Sequence, residues 1–589
     1  MQDIKTDLLI VGAGPAGASL ACFLAEYGLT GLMIAAAPGT ADTPRAHITN
    51  MAALECLRDI GLDKACLAAA TTNKNMAHTR WCKSMAGEEY GRIYSWGHDP
   101  DKAGAYAAAS GCEHVDLPQT LLEPILLERA LSRGWECRFN TTLASFEETD
   151  DGIVSDIRDE KGRSYKVTTK YLFGCDGARS QVVRQLGIPL IKKPGGGLAI
   201  NVYVEVDMSH LVETRVGNLH WMMQPDSEHP PWARMALVRM VEPWTKWMFI
   251  IFPDPKGSYT ESPSDEQYIE RVKDFIGDRS LPVRLIGISN WNINEIAAER
   301  YSHGNIYCLG DAVHRHPPFN GLGSNTCIQD AYNLAWKVAY TLRGHASSKL
   351  LSTYSVERQP VGLGVVTRAN QGLRDHVAVW TALGMEEPTL DARRRAFGEL
   401  SAVSPEGRKR REELRIAIKG TETEFHAIGR EMGQRYDEYG SKAVVLDDEG
   451  APRSSIPHNE DMEYQISTYP GSRLPHAWIN TKVPQQQIST NDLAGHGCFT
   501  VLTGPGGGGW KSAAKEVGEK LGFVINAYSI GWGEDYEDVY GHWVQHRGVE
   551  EDGCILVRPD RFVGWRSATL LKDPADRLEQ ALKKMLGMD

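Results

Sequence analysis

The chain has 589 residues, a formal net charge of −12 and 42% hydrophobic residues. One hydrophobic core rarely serves such a length, so we expect roughly two to four domains. The acidic balance argues against nucleic acid as the main partner, and no apolar run is long enough for a membrane span. The eleven cysteines include no C-x-x-C pair, which predicts reduced thiols, a cytoplasmic location and no metal site.

The N-terminal stretch predicts a dinucleotide-binding turn. Residues 8–11 form an apolar strand, residues 12–17 read G-x-G-x-x-G, and a helical pattern then runs to Gly28. Such glycines permit a tight turn and close approach of a pyrophosphate, which the helix N-terminus faces. An acidic residue should follow the second strand and hold the adenosine ribose, but residues 35–37 are all alanine. The ribose contact is left open.

Polar residues outside this turn are further candidates. Arg45 and His47 lie in an extended segment before a helix, and Gln119 lies in the first turn of another. Each has a plainer interpretation, a surface salt bridge for Arg45 and a half-buried structural histidine for His47. An Asp-Gly pair at 151–152 predicts a hairpin between two extended stretches.

The middle of the chain predicts an antiparallel sheet inserted into the first domain. Residues 197–252 are rich in Val, Met and Trp, in short extended runs. Trp221 and Met223 there fit either plain core or the wall of a site for an aromatic ligand. Farther on, Asp311 ends an apolar strand, and the loop up to Asn325 precedes a helix whose positive end would face a ligand.

The last third divides into two parts. Residues 365–439 are helical and charged, which is typical of a solvated face, and a separate α/β region begins near residue 441. Within it, residues 504–512 contain a second G-x-G-x-x-G and nearly match a P-loop, but Trp510 interrupts the required Gly-Lys-Ser. A second nucleotide site is therefore the weaker alternative.

Three motifs in this order resemble those of the single-component (class A) FAD-dependent aromatic hydroxylases. They are the N-terminal fingerprint, Gly-Cys-Asp-Gly-Ala-Arg-Ser at 174–180 and Gly-Asp-Ala-x-His-x-x-Pro-Pro at 310–318. Further segments resemble the phenol hydroxylase group, which includes 2,4-dichlorophenol 6-monooxygenases and 2-hydroxybiphenyl 3-monooxygenases. These segments are residues 44–50, 116–119, 316–325, 331–337, 474–478 and 557–560.

The resemblance implies an α/β architecture. It comprises a Rossmann-like FAD-binding domain with an inserted antiparallel β-sheet substrate domain, as in p-hydroxybenzoate hydroxylase, and a C-terminal thioredoxin-like domain. The expected ranges are 1–185 and 295–375 for FAD binding, 186–294 for the sheet, 376–440 for a helical segment and 441–589 for the thioredoxin-like domain. That last domain would be structural, without a redox C-x-x-C, and would support a homodimer.

The implied activity is hydroxylation of a phenolic compound by FAD, NAD(P)H and O2, ortho to the hydroxyl, through a C4a-hydroperoxyflavin. Phenols have a pKa near ~10, so a neutral imidazole within reach could take the proton. We expect His47 to be this base, with His314 and His316 as rivals. The expected cofactor contacts are Gly12, Gly14, Pro15, Ala16, Gly17, Arg45, Gln119, Asp176, Asp311, Pro318, Gly321, Gly323, Ser324 and Asn325. The expected substrate pocket is formed by Trp221, Met223, Arg239 and Pro318.

Other functions fit parts of the pattern. A decarboxylating (ipso) hydroxylase or a Baeyer–Villiger-type enzyme differs only in the pocket, and a non-catalytic flavin-binding protein would show no substrate-stimulated NAD(P)H oxidation. A flavin-dependent halogenase would carry a Gly-x-Trp-x-Trp-x-Ile-Pro motif, which is absent from the sequence. A plain NAD(P)-dependent dehydrogenase would not require the loop at 310–311. The sequence leaves the exact substrate, and NADH against NADPH, open.

Overall fold

The computed structural model describes residues 3–255, 262–447, 449–453 and 455–588. Strands of the first part are β1 (Ile4–Lys5), β2 (Leu8–Val11), β3 (Leu32–Ile34), β4 (Ile48–Thr49), β5 (His78–Cys82), β6 (Glu89–Tyr94), β7 (Val115–Asp116), β8 (Glu136–Arg138), β9 (Thr142–Thr149), β10 (Gly152–Arg158), β11 (Ser164–Thr169) and β12 (Tyr171–Gly174). Those of the middle are β13 (Leu190–Glu205), β14 (Leu219–Met222), β15 (Met235–Glu242), β16 (Lys246–Phe252), β17 (Arg284–Ala298), β18 (Ser302–His303), β19 (Ile306–Cys308) and β20 (His314–Arg315). The last are β21 (Trp478–Asn480), β22 (Ile488–Ser489), β23 (Phe499–Thr503), β24 (Ile525–Ser529), β25 (Glu537–Asp538), β26 (Cys554–Val557) and β27 (Val563–Ser567).

The α-helices of the first half are α1 (Pro15–Glu26), α2 (Met51–Asp59), α3 (Asp63–Ala69), α4 (Ala103–Ala109), α5 (Gln119–Ser132), α6 (Gln181–Gln185), α7 (Ser209–Val212) and α8 (Asp265–Ile276). Those of the second half are α9 (Gly323–Leu342), α10 (Lys349–Ala382), α11 (Leu390–Glu399), α12 (Pro405–Gly420), α13 (Glu422–Phe425), α14 (Ile428–Met432), α15 (Gly508–Leu521), α16 (His542–His546) and α17 (Pro574–Met585). In the described residues no helix combines the length and apolarity that crossing a membrane requires.

The fingerprint strand lies inside a six-stranded sheet of order β18-β19-β12-β2-β3-β8. From β19 to β8 all neighbours are parallel. Parallel strands covered on both faces are apolar throughout, and all four residues of β2 are buried. Helices α1 and α9 pack against each other beside this sheet. A second sheet, β1-β11-β10-β9, contains the hairpin predicted at 151–152.

An eight-stranded sheet of order β20-β17-β13-β16-β15-β14-β5-β6 forms the second layer. The antiparallel strands predicted within 197–252 are present as β13 to β16. Two more strands, β5 and β6, come from residues 78–94, and β5 pairs in parallel with β14. Local sequence patterns do not reveal such a long-range pairing. Because β5 and β6 belong to this sheet but lie within residues 1–185, the domain boundaries at 185 and 295 stay a prediction.

Strand alternation gives this sheet two different buried faces. Trp221, Leu237 and Ile250 share a hydrophobic cluster with Ile48 and Phe319. The opposite face contains the alternate residues and packs against Val272 and its neighbours of α8. The first face therefore looks toward the segments that carry Ile48 and Phe319, and the second is ordinary core.

The C-terminal region contains a sheet of order β24-β23-β26-β27. Strands β23 and β24 are parallel and are joined through α15, whereas β26 and β27 are antiparallel and are followed by α17. Helices α15 and α17 pack together. This βαβ–ββα order accounts for the α/β pattern of the sequence after residue 441.

A buried ionic cluster joins this region to the rest of the molecule. Arg558 donates to Glu357 at 2.6 Å and to Asp560 at 2.5 Å, and Lys337 donates to Glu357 at 2.6 Å. All four side chains are essentially inaccessible to solvent. Buried ions need such neutralising partners, so the C-terminal region is firmly tied to α9 and α10.

Candidate active site

The fingerprint glycines are required for two different reasons. Gly12 has φ +112°, and a Cβ on it would lie 2.0 Å from the carbonyl oxygen of Cys175. A Cβ on Gly17 would lie 2.0 Å from the carbonyl oxygen of Gly12. The nearest atom to a Cβ added at Gly14 is 3.7 Å away, and no side chain among the described residues caps α1 at this end. Gly14 therefore leaves an open face at a helix N-terminus, which suits a phosphate group.

Glu123 is a buried residue of this region that sequence reasoning missed. Its Oε2 accepts from the Ala41 N–H, and its Oε1 accepts from the Gln119 side chain, both at 2.5 Å. The same Oε1 is the atom nearest to Gly14. The i,i+4 spacing of Gln119 and Glu123 on one helix was the available signal. The acidic group near the fingerprint thus comes from α5 and not from the residues after β3.

Two aspartates from distant turns lie beside the fingerprint. Asp176 Oδ2 accepts from the backbone N–H of Gln181 and Val182, while its buried Oδ1 has no partner within the described chain. Asp311 is exposed, and a Cβ on the adjacent Gly310 would lie 3.0 Å from Ala16. Buried acceptors without partners call for a ligand or water. Both turns therefore lie beside the N-terminal end of α1. Together with Gly12, Gly14 and Gly17 they form what we call the cradle.

The loop before α9 is fastened to the segment that carries His47. A Cβ on Gly321, whose φ is +60°, would lie 2.8 Å from the Cβ of Ile48. Asn325 accepts from the Asn50 N–H at 3.0 Å and donates to the carbonyls of Ile48 at 2.8 Å and Gly321 at 2.5 Å. Its side chain is therefore a structural clasp, and only its backbone is left for a cofactor.

The N-terminus of α9 provides free donors. Its first turn begins with Thr326 N–H donating to Leu322, so the amides of Gly323, Ser324 and Asn325 precede the helical ladder. Pro318 is exposed at the start of this loop, and Arg45 is exposed with no side-chain partner in the described chain. Two uncapped helix ends, an arginine and an unpaired aspartate oxygen fit FAD, which carries a pyrophosphate, ribityl hydroxyls and a polar ring edge.

His47 belongs to a buried triad with Asp116 and Arg239. Its Nδ1 lies 3.3 Å from Asp116 Oδ1, and Arg239 donates to Asp116 Oδ2 at 3.0 Å. Asn218 donates to the same Oδ2, also at 3.0 Å. The pairing of β4 with β7 places Ile48 opposite Asp116 and so brings His47 to this carboxylate. The sequence marked His47 and Arg239 but not Asp116 or Asn218 as chemical partners.

The electrostatics of this triad set its protonation. Burial lowers the pKa of His47 to about 4, the charge of Arg239 lowers it further, and Asp116 opposes both through its hydrogen bond and its charge. Burial works against ionisation of Asp116, but Arg239 and the hydrogen bond from His47 overcome it and hold its pKa at about 2. At neutral pH Asp116 is thus a carboxylate that accepts from Nδ1–H, and His47 is neutral with its lone pair on Nε2.

The two rival histidines have different surroundings. His314 is fully buried, with Nε2 at 2.9 Å from Asp330, which also accepts from Arg358 at 2.7 Å. His316 lies with Nδ1 at 2.7 Å from the Pro317 carbonyl and its ring beside Gly323. The contact with Asp330 therefore gives His314 a structural role in the loop, and His316 lies beside the first residue of α9.

The expected pocket residues form one wall. Trp221 and Met223 are buried on the face of the large sheet that carries Arg239. Trp221 contacts the rings of Phe319, Phe252 and His376, with centroids 6.2, 5.7 and 4.5 Å apart. Because Phe319 directly follows Pro318, this aromatic wall meets the loop before α9.

The glycine-rich stretch at 504–509 lacks the features of a P-loop. Lys511, which would have to reach a phosphate, donates to Asp535 at 2.6 Å. Gly506 has φ +84° and continues a turn into α15. The stretch is a strand–turn–helix connection of the C-terminal sheet.

Together, a parallel sheet with an N-terminal phosphate cradle, distant aspartate turns and a buried His–Asp–Arg triad facing aromatic side chains define a flavin-dependent aromatic hydroxylase. Residues 5–369 match the FAD binding domain family, and residues 467–588 match the family described as aromatic-ring hydroxylase, C-terminal. The chain belongs to this family of FAD-dependent aromatic-ring hydroxylases. It is an FAD- and NAD(P)H-dependent monooxygenase.

Individual relatives agree over almost the whole chain. It is 42% identical to 2,4-dichlorophenol 6-monooxygenase of Cupriavidus pinatubonensis (strain JMP 134 / LMG 1197), covering 99% of this chain and 97% of the relative. It is 40% identical to phenol 2-monooxygenase of Pseudomonas sp. (strain EST1001), covering 98% and 92%. The solved structure of the flavin-dependent monooxygenase PieE in complex with FAD and substrate covers 100% of both chains at 37% identity and a TM-score of 0.94.

Proposed function

We propose that this monooxygenase hydroxylates a phenol ortho to its hydroxyl group and that His47 accepts the phenolic proton. The observation that carries the proposal is the buried, neutral His47, whose Nδ1–H is held by Asp116 while Nε2 keeps its lone pair. The names of the similar phenol and dichlorophenol monooxygenases support the substrate class. Bound FAD supplies, with NAD(P)H and O2, the chemistry that oxygenates the ring.

The triad prepares the phenol for attack by an electrophile. Loss of the phenolic proton raises electron density on the ortho and para carbons of the ring. The positive charge of Arg239 stabilises the phenolate anion. The negative charge of the phenolate in turn stabilises the protonated form of His47. The low pKa of His47 applies to the pocket before this anion forms. Trp221 and Met223 keep water away from the reacting ring.

The same triad disfavours a carboxylated ring. Arg239, the arginine of this wall, is already paired with Asp116 at 3.0 Å. A second carboxylate would place two buried anions beside a single guanidinium and leave one negative charge uncompensated. The geometry therefore supports a simple phenol over a substrate for decarboxylating hydroxylation.

The cofactor contacts follow from the cradle. The amides at the start of α1 and the guanidinium of Arg45 would bind the pyrophosphate, and Asp311 the ribityl hydroxyls. The N-terminal amides of α9 would bind the polar edge of the ring and stabilise negative charge there. Asp176, with its unpartnered Oδ1, and Gln119 complete this set.

The proposal also covers the C-terminal domain, the cellular location and the oligomeric state. The βαβ–ββα order of the C-terminal sheet supports a thioredoxin-like domain with a structural role. All eleven cysteines are free thiols, which supports the cytoplasm as location. The 92% exposed Trp532 and the half-exposed Val544 supply apolar surface in this region for a homodimer. Light scattering of the purified holoenzyme tests the dimer, and fractionation of the source cells tests the location.

The function is tested by supplying the holoenzyme with NAD(P)H, O2 and matched aromatic compounds. A phenol should stimulate NAD(P)H oxidation and yield a catechol in near-equal amount. Its methyl ether, which has no proton to donate, should yield none, and 2,6-dimethylphenol, with both ortho positions blocked, should yield mainly hydrogen peroxide. The proposal would be contradicted if every phenol with a free ortho position stimulated NAD(P)H oxidation without yielding a catechol. Turnover of the methyl ether at the same rate as the phenol would contradict it as well.

A further inference from the structure

The aromatic wall contains a second histidine–carboxylate pair that the triad does not use. His376 on α10 is fully buried, and its Nε2 lies 2.6 Å from Oε2 of Glu424 on α13. Glu424 is also nearly inaccessible to solvent. The charged helical pattern after residue 365 predicts a solvated face, and no local pattern reveals this buried pair.

His376 lies among the rings of the substrate wall. Its centroid is 4.5 Å from Trp221, 5.7 Å from Phe319 and 5.9 Å from Trp81. The carboxylate of Glu424 is also close enough to act on the charge of Arg239. The pair therefore packs against the same aromatic wall as Arg239 of the triad, from the side of α10 and α13.

Several buried polar atoms of residues in and around this wall have no hydrogen-bond partner within the described chain. They are Nδ1 of His376, Nε1 of Trp81, Nε1 of Trp380, Oδ1 of Asn320 and Nε of Arg239. Buried polar atoms are nearly always hydrogen-bonded, and each exception needs an explanation. Trp380, Phe319 and His376 contact the same Trp221 ring, and Trp81 contacts His376. A ligand hydroxyl beside Trp221 would give Nδ1 of His376 the donor that it lacks.

We propose that His376, oriented by Glu424, is a second polar anchor of the substrate pocket and binds a hydroxyl group other than the one that reacts. This rests on the proposed function and narrows its substrate to aromatic compounds with a second hydrogen-bond donor. In the tautomer that donates its Nε2–H to Glu424, the ring of His376 offers Nδ1 as an acceptor. His376 touches the substrate in this proposal, while Glu424 is a positioning residue.

The test crosses a change in the protein with a matched change in the ligand. Dissociation constants are measured from flavin absorbance changes in the holoenzyme without NAD(P)H, for each dihydroxybenzene and for the methylphenol with methyl in place of the second hydroxyl. His376→Phe keeps an aromatic ring but removes the acceptor. We expect it to weaken the best dihydroxy ligand about tenfold and to change its methylphenol counterpart by less than about twofold. Glu424→Gln should cause a smaller loss in the same direction.

His114→Phe is the matched control. His114 forms another buried pair with Glu431 at 2.8 Å, but its ring contacts Trp96 and Tyr106 instead of Trp221. We expect His114→Phe to lower the melting temperature about as much as His376→Phe does. It should not selectively weaken the binding of dihydroxy ligands. If His376→Phe does not retain FAD, Glu424→Gln carries the same comparison. Equal weakening of both ligands, or of neither, overturns the anchor, whereas failure of every phenol to yield a catechol overturns the proposed function alone.

Discussion

Asp116 lies 3.3 Å from Nδ1 of His47 and accepts a hydrogen bond from Arg239 through its other oxygen. One buried carboxylate thus balances the charge of an arginine and fixes the tautomer of a histidine. This relationship makes the base of the proposed reaction a property of three segments of the chain.

Replacing His47 by Ala should lower the rate of phenol hydroxylation by about 10²-fold or more, because the general base is removed. FAD content should stay unchanged, since the cradle around Gly12 does not include this side chain. The rate of catechol formation and the ratio of flavin to protein absorbance measure the two effects. The exposed His303 provides a control as His303→Ala. Unchanged turnover at neutral pH would contradict the role of His47.

The pH profile of kcat/KM should reflect a buried histidine. Since the pKa of His47 lies at about 4, the base remains neutral well below pH 6.5. With a phenol that does not ionise in this range, activity should persist to about pH 5 and fall below it. A set of steady-state rates on holoenzyme with intact FAD supplies the profile. A limb centred on pH 6.5 would show that His47 titrates normally or is not the base.

Stability should respond to pH in the same window. His47 has an ordinary pKa of 6.5 when unfolded and about 4 when folded, so the unfolded chain binds more protons between these values. The free energy of unfolding therefore falls as the pH drops from 6.5 toward 4. His47→Asn should remove part of that fall. Melting temperatures of both proteins at pH 7 and pH 5 give the comparison, and parallel curves would refute it.

The ion pair of Asp116 and Arg239 should be costly to break from one side. Asp116→Asn leaves the guanidinium buried without its carboxylate and should destabilise the protein by about 3–5 kcal/mol. The double variant Asp116→Asn with Arg239→Met removes both charges and should recover much of that loss. Thermal unfolding measures both, and hydroxylation should stay slow in each. A double variant less stable than the single one would argue against a mutual pair.

Substitution of Gly12 by Ala should abolish FAD binding or folding, because the added Cβ meets the Cys175 carbonyl at 2.0 Å and the residue has φ +112°. Gly104→Ala is the matched control, since that helical glycine has no atom within 4 Å of an added Cβ. The flavin retained after purification is the measurement. Normal flavin content in the Gly12 variant would mean that the turn differs from the one described.

Much of the FAD-binding region could be predicted from sequence because its signals are local. The apolar run of β2, the glycines after it and the Asp-Gly hairpin at 151–152 each depend on neighbours in the chain. Asp116 could not be recognised in the same way, and the i,i+4 spacing of Gln119 and Glu123 shows only part of the role of Glu123. Their roles come from contacts with Ala41, Arg239 and Asn218, which lie between 82 and 123 residues away.

The large sheet shows the same limit. Its strands from 190 to 252 have the expected composition, but β5 joins them through a parallel pairing across some 140 residues. Asn325 is a further case, because its cofactor contact stays a prediction and the hydrogen bonds of its side chain to the carbonyls of Ile48 and Gly321 have no local signal in the sequence. Spacing shows which residues share an element, and only the tertiary contacts show what each one touches.

The order of the six-stranded sheet bears on how the protein is made. The fingerprint strand, at residues 8–11, pairs with β12, and β12 needs β19 at residues 306–308 as its other neighbour. At about 5–20 residues per second, roughly 15–60 s of translation separate the first strand from the last. During that time the apolar β2 and α1 are synthesised without their final cover. The complete cofactor site therefore cannot form until β19, Asp311 and α9 have been synthesised.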